Sequence, residues 1–540
     1  MNLSLWCLAF SPRSISISRS ISCSNHVFSY SRRSGTRPRP RQLKASKSKS
    51  DDVSADLVII GGGISGLSAA IEASSGGKAV NHDSSSVVLL ESQPSPGGRV
   101  SSDIINGFIF DRGYAVFVEN YPQSQRLLDY SLLELKKYDP GALIHQEQSN
   151  RNINGNDNGI KRQMARIADP LRQPLRIMDA ITSTVGTPMD KLRLIPLFYK
   201  VKTNSVTQLF SNDKEQEIST LSCLKETYHF SDKMIQEFFE PFLTGIYFCP
   251  LQEQSSHMFH FVFKMFAEGA ASLPTGGMQA VSNQLMDNAK GQGVDVKLSH
   301  AVKNIQCHEE SNDNDSVSYR YTIDTEQGAT IHCKSIICAT EGVQAQKLLS
   351  KIKGLESLNN MEKQPQRSVG CMYYSFQTET PVKEPILILN GGGEGSGPAL
   401  TVSFLHIIND SYAPKGSGLC SIAIPSKYMH KYKDQQKKLD MMVRDQLSDW
   451  WPDYTEDIQH HWKLEKVYDI QQAQPGQFQG VQPANVHGGR DPSLFGEVSL
   501  PDGLFVCGDY MATATLNGAI ESGLNAARCA VGYLEKVTVR

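Results

Sequence analysis

Three glycines with the spacing of a phosphate-binding turn follow an apolar run near the start of the chain. The run is residues 57–60, and the glycines are Gly61, Gly63 and Gly66. A short apolar run that ends in glycine is typical of a strand buried on both faces of a parallel sheet. Gly61 would allow the tight turn, Gly63 the close approach of a pyrophosphate, and Gly66 the close packing of the next helix. The positive end of that helix would face the phosphate.

A second apolar strand ends in a carboxylate that suits the ribose of a dinucleotide. Residues 86–90 are Ser-Val-Val-Leu-Leu and lead into Glu91. A carboxylate at this strand tip can accept hydrogen bonds from both ribose hydroxyls and would repel a 2′-phosphate. The polar residues 76–85 predict an enlarged loop between helix and strand. A purely structural glycine-rich turn is the alternative interpretation, and the order strand, helix, strand, acid favours the dinucleotide site.

Two further glycine-rich blocks extend this pattern. Residues 97–99 are Gly-Gly-Arg, and residues 106–113 are Asn-Gly-Phe-Ile-Phe-Asp-Arg-Gly. Near the other end of the chain, residues 503–509 form an apolar strand with a Gly-Asp turn, and residues 517–527 are rich in small residues. A close backbone approach with an arginine offers N–H groups and a cation to a pyrophosphate. An ordinary nicotinamide-binding domain does not need the block at residues 97–99.

Together the three blocks resemble the flavin-containing amine oxidase and phytoene desaturase superfamily, and the resemblance spans most of residues 55–535. It implies FAD bound in an extended pose, with Glu91 holding the adenosine ribose. It also implies that Gly98 and Arg99 lie along the pyrophosphate and flavin, and that Asp509 meets the ribityl or phosphate portion. The helix after Asp509 would direct its N-terminus at the flavin pyrimidine edge, where reduced flavin carries negative charge.

The predicted cofactor-binding residues come from all three blocks and from one strand between them. They are Gly61, Gly63, Ser65, Gly66, Glu91, Gly98, Arg99, Val302, Gly508, Asp509 and Ala519. Val302 is included because it matches the position whose backbone meets the adenine in relatives. The eleven Cys never fall in C-x-x-C pairs or Cys/His clusters, so we predict no metal site. No catalytic residue can be named from the sequence.

The resemblance implies an α/β fold with a Rossmann-like, glutathione-reductase-like FAD-binding domain and a helical and mixed-sheet substrate domain. The expected segments are a disordered transit peptide at 1–50, FAD-binding segments at 51–120, 291–345 and 476–540, a mainly helical substrate or cap region at 121–290, and a mixed-sheet substrate region at 346–475. Residues 146–160 predict a surface loop, and residues from 164 to about 290 a mostly helical pattern. Residues 311–315 and 391–397 predict exposed hairpin loops.

The first fifty residues differ from the rest in composition. They contain no Asp or Glu, are rich in Ser, and carry ten Lys and Arg residues. A Ser- and Arg-rich start without acids is typical of an organelle transit peptide. The Ser content and the desaturase-like resemblance favour a plastid, with the mitochondrion as the alternative. A disordered basic tail that binds nucleic acid or membrane is the other interpretation.

Without those ten basic residues the remaining chain is acidic. It keeps 44 of the 54 Lys and Arg residues against 56 Asp and Glu, a net charge near −12. An acidic body argues against a nucleic-acid partner. No apolar run approaches the length that spans a bilayer, which leaves a soluble protein or one in peripheral contact with a membrane.

The densest aromatic stretch lies in the expected cap region, at residues 238–248 and 258–266. These rings could form helix core or could line a tunnel for an apolar substrate, and both can hold on different helix faces. His260 and Lys264 lie one helical turn apart within this stretch. They could be catalytic, or form the polar edge of the helix, which we favour.

The function expected from these features is an FAD-dependent oxidoreductase that dehydrogenates, desaturates or isomerises an apolar carotenoid- or tetrapyrrole-like molecule. Hydride would pass to flavin N5, and the final electron acceptor, oxygen or a quinone, is left open. The first alternative is a true amine oxidase, although residues 488–496 show no aromatic cage. The second is an FAD-scaffold protein that binds a pigment or lipid without turnover, and the intact motifs at both ends of the chain argue against it.

Overall fold

The structure is a computed structural model, and it describes most of the chain after residue 52. The described residues are 53–75, 86–151, 157–168, 172, 182–210, 217–308, 319–361, 365–393, 395–478 and 490–539. The predicted transit segment 1–50, the predicted loop 76–85 and the predicted loop 311–315 lie outside them.

A sheet with five parallel strands contains the first glycine block. Its central strand, Val53–Ile60, pairs with Val87–Leu90 on one side and with Thr330–Cys338 on the other. Asp295–Lys297 extends the sheet beyond Val87–Leu90, and Leu504–Val506 pairs with the end of Thr330–Cys338. The apolar runs predicted as strands are thus buried between layers, as strands of a parallel sheet must be.

This parallel sheet continues through two antiparallel strands and is covered by helices. Tyr321–Thr325 pairs with the first half of Thr330–Cys338, and Val302–Cys307 pairs with Tyr321–Thr325. The helices Ile64–Ser75 and Leu516–Val539 share one hydrophobic core on one face of the sheet. A Cβ on Gly523 would overlap the backbone oxygen of Ser65, so this close helix contact requires glycine.

A second sheet of seven strands lies in the regions expected to hold the substrate. In spatial order its strands are Lys463–Pro475, Gln366–Phe376, Gly418–Pro425, Thr401–Phe404, Leu387–Asn390, Gly141–Arg151 and Asp157–Ala168. All neighbouring strands are antiparallel except Leu387–Asn390 with Gly141–Arg151. Apolar side chains on one face pack against helix Gln436–Trp450.

The remaining elements are mainly short. The other α-helices are Pro122–Leu127, Tyr130–Leu133, Pro188–Thr203, Val206–Phe210, Thr220–Ser222, Asp232–Met234, Glu240–Tyr247, Ser256–Glu268, Gln279–Gly291, Gly342–Leu349, Leu405–Ile408 and Ser426–Lys431. Turns of π-helix lie at Cys223–Thr227, Ile235–Phe239 and Asp457–His461. Turns of 3₁₀-helix lie at Glu356–Asn360, Asp410–Tyr412, Pro452–Tyr454 and Asp509–Met511. Short strands are Ser102–Ile105, Phe108–Asp111, Phe117–Val118, Lys136–Lys137, Ala271–Leu273, Leu494–Phe495 and Val498–Ser499. Among the described residues, no helix combines the length and apolar character needed to cross a membrane.

The predictions for residues 146–160 and for the start of the helical region were wrong. Gly141–Arg151 and Asp157–Ala168 form a long antiparallel hairpin at the edge of the second sheet. The hairpin is held by a ladder of hydrogen bonds to Leu387–Asn390, a partner that local periodicity cannot reveal. Residues 391–397 do connect two antiparallel strands, as predicted, although Gly391 is buried rather than exposed.

Candidate functional site

A cleft of about 900 Å³ opens at the carboxyl ends of the parallel strands and brings the predicted site residues together. Ten of the eleven predicted cofactor-binding residues line it: Gly61, Gly63, Ser65, Glu91, Gly98, Arg99, Val302, Gly508, Asp509 and Ala519. Ligands of open α/β sheets bind in this position. Gly66 does not line the cleft.

The three glycines of the first block differ in what their missing side chains permit. Gly61 has φ of +111°, and a Cβ there would lie 2.8 Å from the backbone oxygen of Ala339. A Cβ on Gly66 would overlap the backbone oxygen of Gly61, so Gly66 serves the packing of helix against strand. A Cβ on Gly63 would meet no atom within 4 Å, because it would project into the cleft. This open cradle fits a pyrophosphate at the start of helix Ile64–Ser75.

Glu91 braces the glycine turn as well as facing the cleft. Its Oε2 accepts a hydrogen bond of 2.6 Å from the backbone N–H of Gly62, and its Oε1 accepts one of 2.7 Å from the backbone N–H of Gln93. The Ser92 hydroxyl donates a third, of 3.1 Å, to Oε1. A carboxylate offers about four acceptor positions, so capacity for a ribose hydroxyl remains. The bracing contacts were missed by sequence reasoning because they join residues that the motif treats separately.

Arg99 and Asp509, from opposite ends of the chain, form an ion pair in the cleft. Arg99 Nη2 lies 2.7 Å from Asp509 Oδ1, and Arg99 Nη1 donates to the backbone oxygen of Ala473. Burial alone would lower the pKa of Arg99, but the carboxylates of Asp509 and Glu341 raise it above its usual value. The guanidinium therefore stays charged and keeps its ability to bind an anion.

Gly508 shapes the turn that holds Asp509. A Cβ on Gly508 would overlap the ring of Tyr510, and the Gly508 N–H donates to the Ser522 hydroxyl at 3.0 Å. Helix Leu516–Val539 follows, and its first-turn residues Leu516 and Ala519 line the cleft. The positive end of this helix dipole therefore faces the cleft, where it can stabilise a negative charge.

Basic residues gather at the Val302 end of the cleft. His300, Lys303, Lys347 and Lys351 line this end, together with Val302 itself. These side chains come from a strand, a helix and two connecting segments, so their assembly could not be read from spacing along the chain. A cationic rim of this kind attracts a phosphate-bearing ligand.

An apolar cavity of about 320 Å³ adjoins the cleft. Four residues line both spaces: Val116, Tyr121, Ile246 and Phe248. The other apolar side chains around the cavity include Leu194, Phe198, Phe238, Phe242, Phe263, Phe266, Leu387 and Leu389. The aromatic stretch thus contributes both to the helix core and to the lining of a cavity. Phe239, Phe259 and Phe261 are core residues, while their neighbours line the cavity.

A few polar side chains interrupt this apolar lining. They are Tyr114, Tyr138, Asp139, Arg172 and Thr401. Tyr114 shares a 2.6 Å hydrogen bond with the Ser403 hydroxyl, and burial raises the pKa of Tyr114 and of Tyr138. The buried Thr401 hydroxyl has no hydrogen-bond partner in the part of the chain that the structure describes. It is therefore a candidate partner for a polar atom of the substrate.

His260 and Lys264 do not form a polar edge, so that interpretation was wrong. Both are buried: His260 Nε2 lies 2.8 Å from the Tyr228 hydroxyl, and Lys264 Nζ lies 2.6 Å from Glu268 Oε1. Burial lowers the pKa of His260 to about 3, with Lys200 and His257 adding to the effect. Neither side chain lines the apolar cavity or the cleft. Cys338 and Cys507 are buried in the core, and no cluster suited to a metal ion occurs among the described residues.

The cradle at Gly63 and the cleft at the strand ends are the features of a dinucleotide-binding protein, and an apolar cavity adjoins that cleft. A sequence model of the flavin-containing amine oxidoreductases matches residues 64–531. The chain belongs to this family, which confirms the resemblance stated from the three glycine blocks. Membership makes the protein a flavin-dependent oxidoreductase with FAD as its cofactor.

Individual relatives are distant. Protoporphyrinogen oxidase 2, chloroplastic/mitochondrial, of Arabidopsis thaliana is 25% identical over 191 residues, and the match spans 35% of this chain and only 32% of that protein. A protein from Exiguobacterium sp. 255-15 with the provisional description protoporphyrinogen oxidase has a TM-score of 0.57 at 16% identity, covering 90% of this chain and 99% of its own. Wild-type putrescine oxidase bound to putrescine has a TM-score of 0.56 at 14% identity, covering 91% and 100%. The solved structures show a shared mixed α/β fold.

Proposed function

We propose that the protein dehydrogenates an apolar tetrapyrrole-like molecule that binds in the apolar cavity beside FAD. The observation that carries this proposal is the junction formed by Val116, Tyr121, Ile246 and Phe248, which line both the cavity and the dinucleotide cleft. A molecule in the cavity would thereby lie against the part of the cleft that is proposed to hold the flavin. Such proximity is the main contribution that a protein makes to chemistry supplied by a cofactor.

The cofactor would lie along a Rossmann-like domain of the glutathione-reductase-like type, assembled from residues 51–120, 291–345 and 476–540. Val302 and Glu91 would contact the adenosine, and Gly63 with Ser65 the pyrophosphate. The remaining contacts would come from Gly98, Arg99, Gly508, Asp509 and Ala519. Support comes from the cradle at Gly63, the acceptor capacity left on Glu91 and the helix N-terminus at Ala519. Residues 121–290 and 346–475 would hold the substrate.

Bound FAD would supply a two-electron acceptor for a hydride from a substrate C–H bond, and a proton released from the neighbouring atom to the solvent would complete the new double bond. The chain's own residues bind and orient the substrate, and they exclude water from it. The aromatic lining keeps water from the reacting atoms, the buried Tyr114 and Tyr138 hydroxyls stay protonated, and helix Leu516–Val539 stabilises negative charge. The electron acceptor would be oxygen or a quinone.

The polar atoms of the cavity favour a tetrapyrrole over a carotenoid or an amine. A hydrocarbon polyene would leave the buried Thr401 hydroxyl unpaired, at a cost of about 1–3 kcal/mol, whereas a pyrrole N–H can donate to it. Among the described lining residues Asp139 is the only acid, and Arg172 adds a positive charge, which disfavours a diamine cation. The names of the Arabidopsis and Exiguobacterium relatives agree with this choice.

The acid-free, Ser- and Arg-rich residues 1–50 support import into a plastid, with the mitochondrion as the alternative. The distant Arabidopsis relative is described as chloroplastic/mitochondrial.

Anaerobic flavin spectroscopy tests the proposed substrate class. Photoreduction of the purified holoenzyme first shows whether the flavin is redox-active. A porphyrinogen, phytoene and putrescine are then added separately to oxidised enzyme. We expect the porphyrinogen alone to bleach the flavin, and the Thr401→Val variant to need more porphyrinogen while its flavin spectrum stays normal. Bleaching by putrescine would establish an amine oxidase, and photoreduction without bleaching by any of the three would support the non-catalytic binder.

A further inference from the structure

Helix Pro188–Thr203 presents an apolar stripe to solvent, formed by Met189, Leu192, Ile195 and Tyr199. These side chains are 53 to 71% exposed. Nine large apolar side chains are exposed among the described residues, and four of them lie on this one helix. Their spacing of three, three and four residues places them on one face. Scattered exposed apolar residues are ordinary, but a continuous stripe on a single helix marks an interaction surface.

The opposite face of the same helix belongs to the protein interior. Leu197 and Val201 are fully buried in the core, and Leu194 and Phe198 line the apolar cavity. The stripe is therefore separated from the cavity by one helix diameter, about 10 Å. The exposure of the stripe does not reflect a missing core contact, because this helix already buries its other face.

Basic residues flank the stripe on both sides. At about 100° of rotation per residue, Arg193 and Lys200 fall along one edge of the stripe and Lys191 and Lys202 along the other. The helix has one acidic residue, Asp190, which is fully buried, forms the capping box with Thr187 and pairs with Arg193, whose Nη1 lies 3.3 Å from Asp190 Oδ1. The exposed face is thus apolar at its centre and cationic at its margins, on a body whose net charge is near −12.

We infer that this helix is a docking surface for an anionic lipid bilayer. An amphipathic helix with basic flanks lies in the bilayer interface, where its apolar face enters the acyl boundary and its cations meet the headgroups. An acidic body is repelled by the same surface, so the cationic helix also sets the orientation of the protein. Docking here places the wall of the apolar cavity next to the hydrocarbon in which an apolar molecule dissolves. The inference rests on the apolar stripe and its basic flanks, and it does not depend on the proposed substrate.

Vesicle flotation of the full-length holoenzyme tests the inference. The probes are vesicles of phosphatidylcholine alone and vesicles in which about one third of the lipid is phosphatidylglycerol. The stripe variant is Leu192→Ser with Ile195→Ser and Tyr199→Ser, and the matched control is Leu132→Ser with Met441→Ser, at equally exposed positions elsewhere. High salt suppresses binding through the basic residues 1–50. The contribution of the apolar stripe to vesicle binding is therefore measured at high salt.

The parent and the control should float with the anionic vesicles, and the stripe variant should partition at least about tenfold less at high salt. A normal flavin spectrum in the stripe variant shows that it has folded. Equal flotation of parent and stripe variant would overturn the inference, as would a parent that binds neither vesicle. A stripe variant whose only change is a smaller mass in solution would identify the stripe as a contact between two copies of the chain. Flavin bleaching is not measured, so failure here leaves the proposed reaction untouched.

Discussion

Replacing Asp509 by Ala should weaken FAD binding far more than it destabilises the apoprotein. The Asp509 side chain is 10% exposed, and among the described residues it forms a 2.7 Å ion pair with Arg99, whose side chain is 36% exposed. A charge-assisted hydrogen bond to a cofactor hydroxyl is worth about 1.5–3 kcal/mol, so losing it lowers affinity by about 10- to 150-fold. A partly exposed ion pair contributes about 0–1 kcal/mol to folding, so the apoprotein Tm should fall by less than about 3 °C.

The ion pair raises a second explanation, in which Asp509 acts only by positioning Arg99. A double-mutant cycle with Arg99→Ala separates the two. FAD affinity is measured by titrating apoprotein with FAD and following flavin fluorescence, and Tm is measured on the same preparations. If Asp509 contacts the cofactor, Asp509→Ala still lowers affinity when Arg99 is already Ala. Asp502→Ala, at a side chain that is 80% exposed, is the matched control and should change neither quantity.

Two results would refute this reasoning. A large loss of apoprotein Tm with unchanged FAD affinity would mean that Asp509 serves the fold, in spite of the 3₁₀ turn Asp509–Met511 having no side-chain cap. No effect of Asp509→Ala in the Arg99→Ala background would mean that the carboxylate acts only through the guanidinium.

Three further predictions address the cradle, the buried histidine and the N-terminus. Gly63→Val should yield colourless protein, because its methyl groups would fill the open space in the cleft, and a normal flavin spectrum would contradict the assignment. His260 is neutral in the fold, since burial lowers its pKa from 6.5 to about 3, so its contribution to stability is present above about pH 6.5 and is lost as the pH falls towards 3. The parent should lose unfolding free energy between about pH 7.5 and pH 5, and His260→Gln should make that loss smaller by about 2 kcal/mol. Urea unfolding at both pH values measures the difference. An equal loss in parent and variant would show that His260 is not neutral and buried in the fold. Residues 1–60 fused to a fluorescent reporter should direct it to plastids, and a diffuse cytosolic signal would count against a transit peptide.

The parallel sheet could be predicted because its strands carry their own signal. Residues 57–60, 86–90 and 503–507 are apolar runs next to glycine or acid, and burial on both faces leaves this pattern in each strand separately. The edge hairpin Gly141–Arg151 with Asp157–Ala168 carries no such pattern. It forms because Leu387–Asn390 presents a free edge, and that edge exists only after folding.

The candidate site likewise contains residues that the sequence could predict and residues that only the fold brings together. The glycine turns and Glu91 could be predicted because a phosphate and a ribose require particular residue types at fixed spacing. The Arg99–Asp509 pair and the lysines beside Val302 join residues from remote segments, so only the fold brings them together. The burial of His260 and Lys264 was missed because helix Ser256–Glu268 is covered on more sides than its polar residues suggest.

The rate of flavin reduction in a variant with a blocked junction tests most directly whether substrate reacts from the apolar cavity. Ile246 lines both spaces, so Ile246→Trp should obstruct the junction while leaving the cradle at Gly63 intact. With a porphyrinogen under anaerobic stopped-flow conditions, we expect the variant to keep its bound flavin but to bleach at least about tenfold more slowly than the parent. Leu132→Trp, at an exposed position outside the cavity, should bleach like the parent. Equal bleaching rates for Ile246→Trp and the parent would contradict the account, because the substrate would then reach the flavin by another route.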